Sequence, residues 1–233
     1  MSKHKMFWYR PKNGQTNFGD ELGQIFLREL GHQIEWAPMK ESTLLSTGTL
    51  LQRAEEWKLP PEAKIWGTGW GHIPIRNQGW EILAVRGALT ETALGLAPGS
   101  VPYGDAGLLA SHFWPAKEKK HKIGFVRHYL DRQVAPRNNL EIQATLPPQE
   151  VCEKISECEV ILSSSLHGCI VAASYGIPFM RLYSPRVGRP QKWEDFASSL
   201  ATPLEELQSG LLKAAEKISI KGKKYENHRI LER

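Results

Sequence analysis

A serine run, a histidine and a glycine, "SSSLHG", stand between two apolar stretches of the chain. The preceding "EVILSSS" predicts a buried strand, and "LHGCIVAASYG" predicts a helix that ends at Gly176. The first N–H groups of a helix lack partners and carry the positive end of its dipole, so this turn predicts an anion pocket. The hydroxyls of Ser163, Ser164 and Ser165 can cap the helix or donate to phosphate oxygens. Gly168 lets another group approach the backbone closely.

His167 lies beside this predicted anion pocket. An imidazole has an ordinary pKa close to neutrality, which suits a general acid. An ordinary helix cap, with the histidine bonded to a neighbouring carbonyl, explains the same spacing, so both interpretations stay open.

A second candidate is the Asn/Gly-rich turn "NGQTNFGDELG", which leads into a helical pattern with Asp20 as its predicted N-cap. Asn17 and Asp20 could bind sugar hydroxyls there, and Asp20 could accept a proton from one. A simple turn with a helix cap is the alternative explanation.

Three further segments place charged or titratable groups at predicted strand ends. Arg86 follows "EILAV", so we expect it to project into a cleft and bind a carboxylate or phosphate bidentately. Asp105 in "YGDAGLL" is an acceptor-binding candidate or a plain turn aspartate. Arg127 and His128 follow the apolar part of "GFVRHYLD", at the tip of the first predicted strand of the second domain.

These residues need a scaffold that brings strand ends together. Short apolar runs alternate with turn signals and helical patterns, which is typical of βα units around parallel sheets. We predict an α/β fold with two Rossmann-like domains, residues 1–114 and 123–233, joined by a charged linker at about 115–122. Ligands of such sheets bind at the carboxyl ends of the strands, so the site is expected between the domains. Arg86 would lie on the acceptor side and His167 on the other.

The bulk composition limits the class of protein. The chain has 233 residues, 41% of them hydrophobic and 24% charged, enough for a folded core. The formal net charge of +5 favours an anionic substrate or an acidic membrane surface. The scattered basic residues do not predict nucleic-acid binding. No apolar run is long enough to span a bilayer, which predicts a cytoplasmic protein. Its basic tail has the charge to contact acidic lipid at the inner membrane surface.

Cysteines and common motifs narrow the chemistry further. Cys152, Cys158 and Cys169 form no CxxC pair and are odd in number, which predicts reduced thiols in or near the core. The sequence has no P-loop, no HExxH, no GxSxG and no D-x-D pair among its four aspartates. We therefore predict a reaction without a metal or a bound cofactor.

Seven motifs in order resemble the polysaccharide pyruvyl transferase family, from about Tyr9 to Phe196. They are "PKNGQTNFGDELG", "STGTLL", "WGTGW", "AVRGALTETALG", "YGDAGLL", "IGFVRHYLD" and "SSSLHGCIVAASYGIP". The sequence is most similar to short bacterial members that add pyruvate ketals to exopolysaccharides such as xanthan and succinoglycan. The resemblance implies a GT-B-like fold and transfer from phosphoenolpyruvate, as co-substrate, to a hexose of a glycan or lipid-linked oligosaccharide.

The resemblance also implies roles for individual residues. The catalytic histidine of the family's "LHG" motif falls on His167, and the donor-associated arginine of "VRG" falls on Arg86. Many members carry arginine directly before "LH", where this chain has Ser165. A second cation for the donor must then come from elsewhere. The candidates are Arg127, His128, Arg181, Arg186 and Arg189.

Two other functions fit the same sequence. A GT-B glycosyltransferase that uses a nucleotide sugar needs the same cleft and the same helix N-terminus. A non-catalytic glycan-binding protein could instead offer tryptophan rings for sugar stacking, although core positions explain the same residues. These tryptophans are Trp8, Trp66, Trp70 and Trp80.

Overall fold

Two parallel β-sheets form the frame of the protein in the computed structural model. The structure describes residues 3–11, 15–132, 139–185, 187 and 189–218. Arg186 and most of the basic tail, both singled out from the sequence, lie outside the described residues.

The first sheet contains five parallel strands in the order β2-β1-β3-β4-β5. The strands are β1 (His4–Phe7), β2 (Ile34–Trp36), β3 (Leu44–Leu45), β4 (Lys64–Trp66) and β5 (Glu81–Ala84). The helices of this half are α1 (Phe18–Glu29), α2 (Leu51–Ala54), α3 (Ala88–Ala93) and α4 (Ala110–Phe113), with short 3-10 turns at Met39–Glu41 and Ala106–Leu109. Strand β2 lies on one side of β1 and β3 lies on the other, so successive strands are added in opposite directions from β1.

The second sheet contains four parallel strands in the order β7-β6-β8-β9. The strands are β6 (His121–Arg127), β7 (Leu140–Gln143), β8 (Cys158–Ser163) and β9 (Phe179–Arg181). The helices that follow are α5 (Pro148–Ser156), α6 (Leu166–Ser174), α7 (Pro190–Ser199) and α8 (Leu204–Glu216). In this sheet β7 lies on one side of β6 and β8 lies on the other, so successive strands are added in opposite directions from β6.

The two halves share one hydrophobic core. Its fully buried members include Met6 and Phe18 from the first half and Val126 and Ile170 from the second. The last helix returns to the first sheet, where Trp66 Nε1 donates a hydrogen bond to the Leu211 carbonyl over 2.9 Å. Helix α7 likewise contacts α3. The predicted domain limits stay a prediction, but the final two helices contact the half of the chain that precedes the linker.

The sequence predicted the α/β class and the strand and helix segments, and the structure confirms them. The predicted linker differs in detail. Strand β6 begins at His121, inside the expected 115–122 segment, because its backbone pairs with β8 from that residue onward. Lys119 Nζ donates to the carbonyls of Ser156 (2.9 Å) and Cys158 (2.6 Å), so this basic segment is tied to the second half. All three cysteines are free and buried, as predicted.

Candidate functional site

A polar cavity of about 130 Å³ lies where the loops after four strands meet. Parallel sheets bind ligands where neighbouring strands send their connections in opposite directions, and both sheets present that position here. Loops after β1 and β3 come from the first sheet, and loops after β6 and β8 come from the second. The lining residues are Asn17, Asp20, Gly48, Thr49, His128, Tyr129, Ser165, Leu166, His167 and Lys192.

His167 is held in the first turn of α6 and faces Asp105. The distance between His167 Nε2 and Asp105 Oδ2 is 3.6 Å, and both side chains are buried. Asp105 Oδ1 accepts a hydrogen bond from the Gly107 N–H over 2.9 Å. Neither Asp105 Oδ2 nor His167 Nε2 has a hydrogen-bond partner among the described residues. The two atoms therefore face each other closely without a hydrogen bond between them.

The acceptor-binding role expected for Asp105 does not match its position. Its side chain is completely buried and does not line the cavity, because it caps the 3-10 turn that begins at Ala106. Sequence reasoning placed it correctly at a turn but missed its contact with His167.

The imidazole of His167 is also packed against the first turn of α1. The rings of Phe18 and His167 meet edge to face with centroids 6.3 Å apart. A side chain on Gly19 would overlap the imidazole at Nδ1 and Cγ, so only glycine fits there. The site consequently depends on close contact between the two halves of the chain.

Asp20 and Asn17 lie together where α1 begins, and both line the cavity. Asn17 is the N-cap of α1, and Asp20 is two residues inside the helix, so the expected N-cap at Asp20 was wrong. The Asn17 side-chain amide donates to Asp20 Oδ2 over 2.6 Å. Burial raises the pKa of Asp20, while the charges of His167 and Lys192 and the Asn17 hydrogen bond act against this rise. A carboxylate with a raised pKa is suited to accept a proton.

Lys192, on the first turn of α7, is a cavity residue that sequence reasoning missed. Burial lowers the pKa of Lys192 to about 8, and nearby Arg86 contributes further. Burial also lowers the pKa of His128 to about 3, with help from the charge of Lys192. His128 lines the cavity as predicted, but as a neutral ring. The pattern "KWEDFASSL" reads as an ordinary amphipathic helix, so no local signal identified Lys192.

Tyr129 also lines the cavity, and the pKa of its hydroxyl is raised. Burial, and then Tyr9, raises the pKa of Tyr129 to about 12, so its hydroxyl stays protonated at neutral pH. The same hydroxyl forms a side-chain hydrogen bond with Tyr9.

The three serines of the "SSS" run make different contacts. Ser163 Oγ accepts from the Ser165 N–H over 3.0 Å, and Ser164 Oγ accepts from the His128 N–H over 3.1 Å. Neither side chain lines the cavity, whereas Ser165, the N-cap of α6, does. A side chain at Gly168 would overlap Ser163 Oγ, so this glycine allows α6 to approach the sheet. The expected donation of all three hydroxyls to one anion does not match these contacts.

Arg86 was expected to project into the cleft, but its side chain is completely buried. Its Nε donates to Asp195 Oδ2 over 2.8 Å, and its Nη2 donates to the Trp70 carbonyl over 2.6 Å. Nη1 donates to Thr49 Oγ1 over 3.0 Å, which places Arg86 directly behind a cavity wall. Its interior acid partner, 109 residues away, explains the burial. A direct contact between Arg86 and the donor stays a prediction.

Of the remaining candidate cations, the three that the structure describes, Arg127, Arg181 and Arg189, do not line the cavity. Arg127 forms an ion pair with Glu141 over 2.8 Å, because β6 and β7 pair at that level. The Arg181 guanidinium lies over the Trp193 ring, 4.9 Å from its centroid. Arg181 and Arg189 act on Lys192 through their charge.

Two larger hollows, of about 270 and 350 Å³, are lined mainly by apolar side chains around Pro74 and Ile75 and lack comparable chemistry. Of the tryptophans considered for sugar stacking, Trp8, Trp66 and Trp80 are buried in the core. Trp70 borders the larger hollow.

Two searches of the described part of the chain gave negative results. No His, Cys, Asp and Glu side chains there form a group of three that could hold a metal ion. Within the same residues, no helix has both the length and the apolar character needed to cross a membrane.

Comparison with known families decides the relationship of the chain. The sequence model for the polysaccharide pyruvyl transferase family matches residues 66–184, about half of the 233 residues. The chain belongs to this family. The matched segment contains the Arg86, Asp105 and His167 positions of this pyruvyl transferase family member, but it excludes Asp20 and Lys192.

A curated relative extends the similarity. The succinoglycan biosynthesis protein ExoV of Rhizobium meliloti (strain 1021) is 27% identical over 208 residues, which cover 84% of this chain. The chain spans 65% of the length of that relative. These findings confirm the polysaccharide pyruvyl transferase family and the similarity to exopolysaccharide-type members. No solved structure matches the chain.

Proposed function

We propose that the protein transfers an enolpyruvyl-derived group from phosphoenolpyruvate to a hexose of a bacterial polysaccharide or lipid-linked oligosaccharide. The product is a cyclic pyruvate ketal, and phosphate is released. The donor is a co-substrate, and the proposed reaction uses no metal or other cofactor. A GT-B-like arrangement, with the cavity between facing sheets, is part of the proposal.

One observation carries this proposal: the cavity brings an imidazole, an ammonium group and a carboxylate around one small space. They belong to His167, Lys192 and Asp20. Cavities for drug-sized ligands have volumes of roughly 300–1,000 Å³. A cavity of about 130 Å³ suits a three-carbon phosphorylated acid better than a nucleotide sugar. The family membership of the chain supports the same donor class.

The reaction begins with proton transfer from His167 to the methylene carbon of phosphoenolpyruvate. This step forms the methyl group and leaves positive charge on the adjacent carbon, which a sugar hydroxyl attacks. The bond from that carbon to the phosphate oxygen then breaks, and phosphate leaves with the electron pair. A second sugar hydroxyl attacks the same carbon and closes the ring. One hydroxyl proton returns to His167 and the other leaves with phosphate, so the atoms balance.

The surrounding residues supply orientation and proton transfer. Asp105 fixes the His167 ring through Nε2, so Nδ1, beside Gly19, is the atom we assign to proton transfer. Asp20 accepts the proton of the second hydroxyl and passes it to the departing phosphate, and its raised pKa suits that role. Holding two hydroxyls and the donor in one cavity supplies a large part of the rate acceleration.

The acceptor and the place of action are part of the proposal. Asn17 and Asp20 are assigned to the acceptor hydroxyls because they line the same cavity as His167 and are hydrogen-bonded to each other. A lipid-linked acceptor implies a cytoplasmic enzyme at the inner membrane surface, which the net charge of +5 favours.

The deciding experiment incubates the protein with phosphoenolpyruvate and lipid-linked oligosaccharides. We expect phosphate release and an acceptor mass gain of one pyruvate less one water, measured by mass spectrometry. Nucleotide release from a sugar nucleotide would instead identify a glycosyltransferase. Saturable glycan binding without donor consumption would identify a glycan-binding protein.

A matched pair of variants tests the assignment of the acid. His167→Ala should abolish phosphate release while the fold is retained, whereas His72→Ala, at an exposed histidine outside the cavity, should retain full activity. Full turnover by the His167→Ala variant would refute the proposed mechanism.

A further inference from the structure

Lys192 occupies a position in the fold where a positive charge is unfavourable. It is the third residue of α7, in the first turn, where the positive end of the helix dipole disfavours a cation. The side chain is only partly exposed and lines the cavity beside His167 and Ser165. A lysine that serves only solubility would extend into solvent.

The charges around Lys192 are predominantly positive. Among the described residues, none forms an ion pair or a hydrogen bond with its ammonium group. Three guanidinium groups act on it, those of Arg86, Arg181 and Arg189, while the carboxylate of Asp20 attracts it. The ammonium group also lies 5.9 Å from the centroid of the Trp193 ring. Burial, and then the positive charges of these arginines, lower the pKa of Lys192 to about 8. A small anion in the cavity would supply the missing opposite charge.

We propose that Lys192 binds the phosphate group of the donor in this cavity, an inference that rests on the proposed function. It thereby supplies the second cation that the serine before "LH" does not provide. The phosphate lies between the Lys192 ammonium and the turn that begins α6 at Ser165. That placement leaves the methylene carbon to His167. When phosphate departs, the ammonium group stabilises its growing negative charge.

The buried pair of Arg86 and Asp195 holds Lys192 in place. Asp195 is one turn after Lys192 on α7, and its Oδ2 accepts from Arg86 Nε over 2.8 Å. Oδ1 accepts from the Thr90 N–H over 2.8 Å, and Oδ2 also accepts from the Thr90 hydroxyl over 2.7 Å. Both members of the ion pair are fully buried. They fix the start of α7 against α3, which makes Arg86 a positioning residue for Lys192.

Equilibrium binding of three probes to the full chain tests this assignment. The probes are phosphoenolpyruvate, inorganic phosphate and pyruvate, measured by calorimetry with wild type and Lys192→Gln. Loss of one partner of a buried charge pair should weaken binding of the two phosphate-bearing probes by about 30-fold or more. Pyruvate binding should change little. Lys40→Gln, at an exposed lysine outside the cavity, is the matched control.

Each result has a distinct meaning. Unchanged binding of phosphoenolpyruvate by Lys192→Gln would overturn the role of Lys192 and leave the proposed function standing. Phosphate binding that depends on Lys192, with no binding of phosphoenolpyruvate by wild type, would retain the anion site and refute the donor. Lys192→Arg keeps the charge and should restore most of the binding. If Lys192→Gln fails to fold, the uncharged variant Lys192→Met is measured instead. Full retention of affinity for phosphoenolpyruvate and phosphate by folded Lys192→Met would overturn the proposal, and a loss of affinity would support it.

Discussion

His167 Nε2 and Asp105 Oδ2 face each other over 3.6 Å, and both atoms are buried without a hydrogen-bond partner among the described residues. An isolated buried carboxylate oxygen is costly, and a protonated imidazole beside it offsets that cost. Asp105 is therefore placed to pair with the imidazole ring whenever Nε2 carries a proton.

Asp105→Asn should reduce the turnover number for phosphate release by about 10²–10⁴-fold. The amide keeps the shape of the side chain and its acceptor for the Gly107 N–H, but it carries no charge to stabilise the imidazolium. We expect the KM for phosphoenolpyruvate to change little, because Asp105 does not line the cavity. Steady-state kinetics measure both constants. An unchanged turnover number would show that Asp105 does not act through His167.

Gly19→Ala should inactivate the enzyme without unfolding it. The added methyl group would overlap the His167 imidazole and displace it, and a displacement of about 1 Å can cost roughly 100-fold in rate. Alanine does not disfavour the helix. Gly210→Ala on α8, whose new methyl group would meet Pro102 outside the cavity, is the control. Phosphate release and thermal unfolding of both variants separate the two effects. Normal activity of Gly19→Ala would contradict the proposed ring position.

Binding of phosphoenolpyruvate should weaken as the pH rises through about 8. Only the charged form of Lys192 attracts phosphate, and its lowered pKa sets that pH. Binding should then fall by up to about tenfold per pH unit. The charged or titratable groups that act on Lys192 or share its cavity are Asp20, Arg86, His128, Tyr129, His167, Arg181 and Arg189.

Lys192→Arg isolates the contribution of Lys192 to this pH profile. It leaves those other groups unchanged, and its guanidinium keeps its charge to much higher pH. The decline near pH 8 should therefore disappear in this variant when binding is titrated over the same range. A decline that persists would have to come from another group.

Lys192→Met should raise the free energy of unfolding at pH 7 by about 1–2 kcal/mol, because it removes a cation that is disfavoured in the folded state. A lysine whose pKa is lower in the folded state makes wild type more stable as the pH rises from about 8 to its ordinary value near 10.5. Denaturant unfolding at several pH values measures both effects. A large loss of stability would indicate a structural role for Lys192.

Asp195→Asn should destabilise the protein by about 3–5 kcal/mol, since it leaves the buried guanidinium of Arg86 without its charged partner. A double-mutant cycle with Arg86→Met should show strong coupling between the two positions. Chemical unfolding provides the free energies. Additive effects would exclude the positioning role that we assign to this pair.

Local patterns predicted much of the frame. Parallel strands read as short apolar runs, and the helix after "SSSLHG" is where the sequence predicts it, from Leu166. The cavity position follows from the strand orders, which carry the loops after β1, β3, β6 and β8 to one place. His167, His128, Asn17, Asp20 and Ser165 were predicted from residue type and strand ends alone.

Contacts between distant parts of the chain could not be predicted. Arg86 meets Asp195 across 109 residues, and nothing near either one signals the pairing. The return of α7 to the first half places Lys192 in the cavity, and helical periodicity carries no information about that return. Asp105 reads as a turn residue because its second partner, His167, lies on another element.

Because Gly19 contacts the His167 imidazole, a break in the chain between these two residues would separate two parts of the site. Gly19 lies before the charged linker and His167 after it, so neither fragment of a chain cut at residue 118 would hold an assembled acid. Each fragment alone would be inactive. Activity would return only when the two fragments associate and Gly19 again contacts the His167 ring.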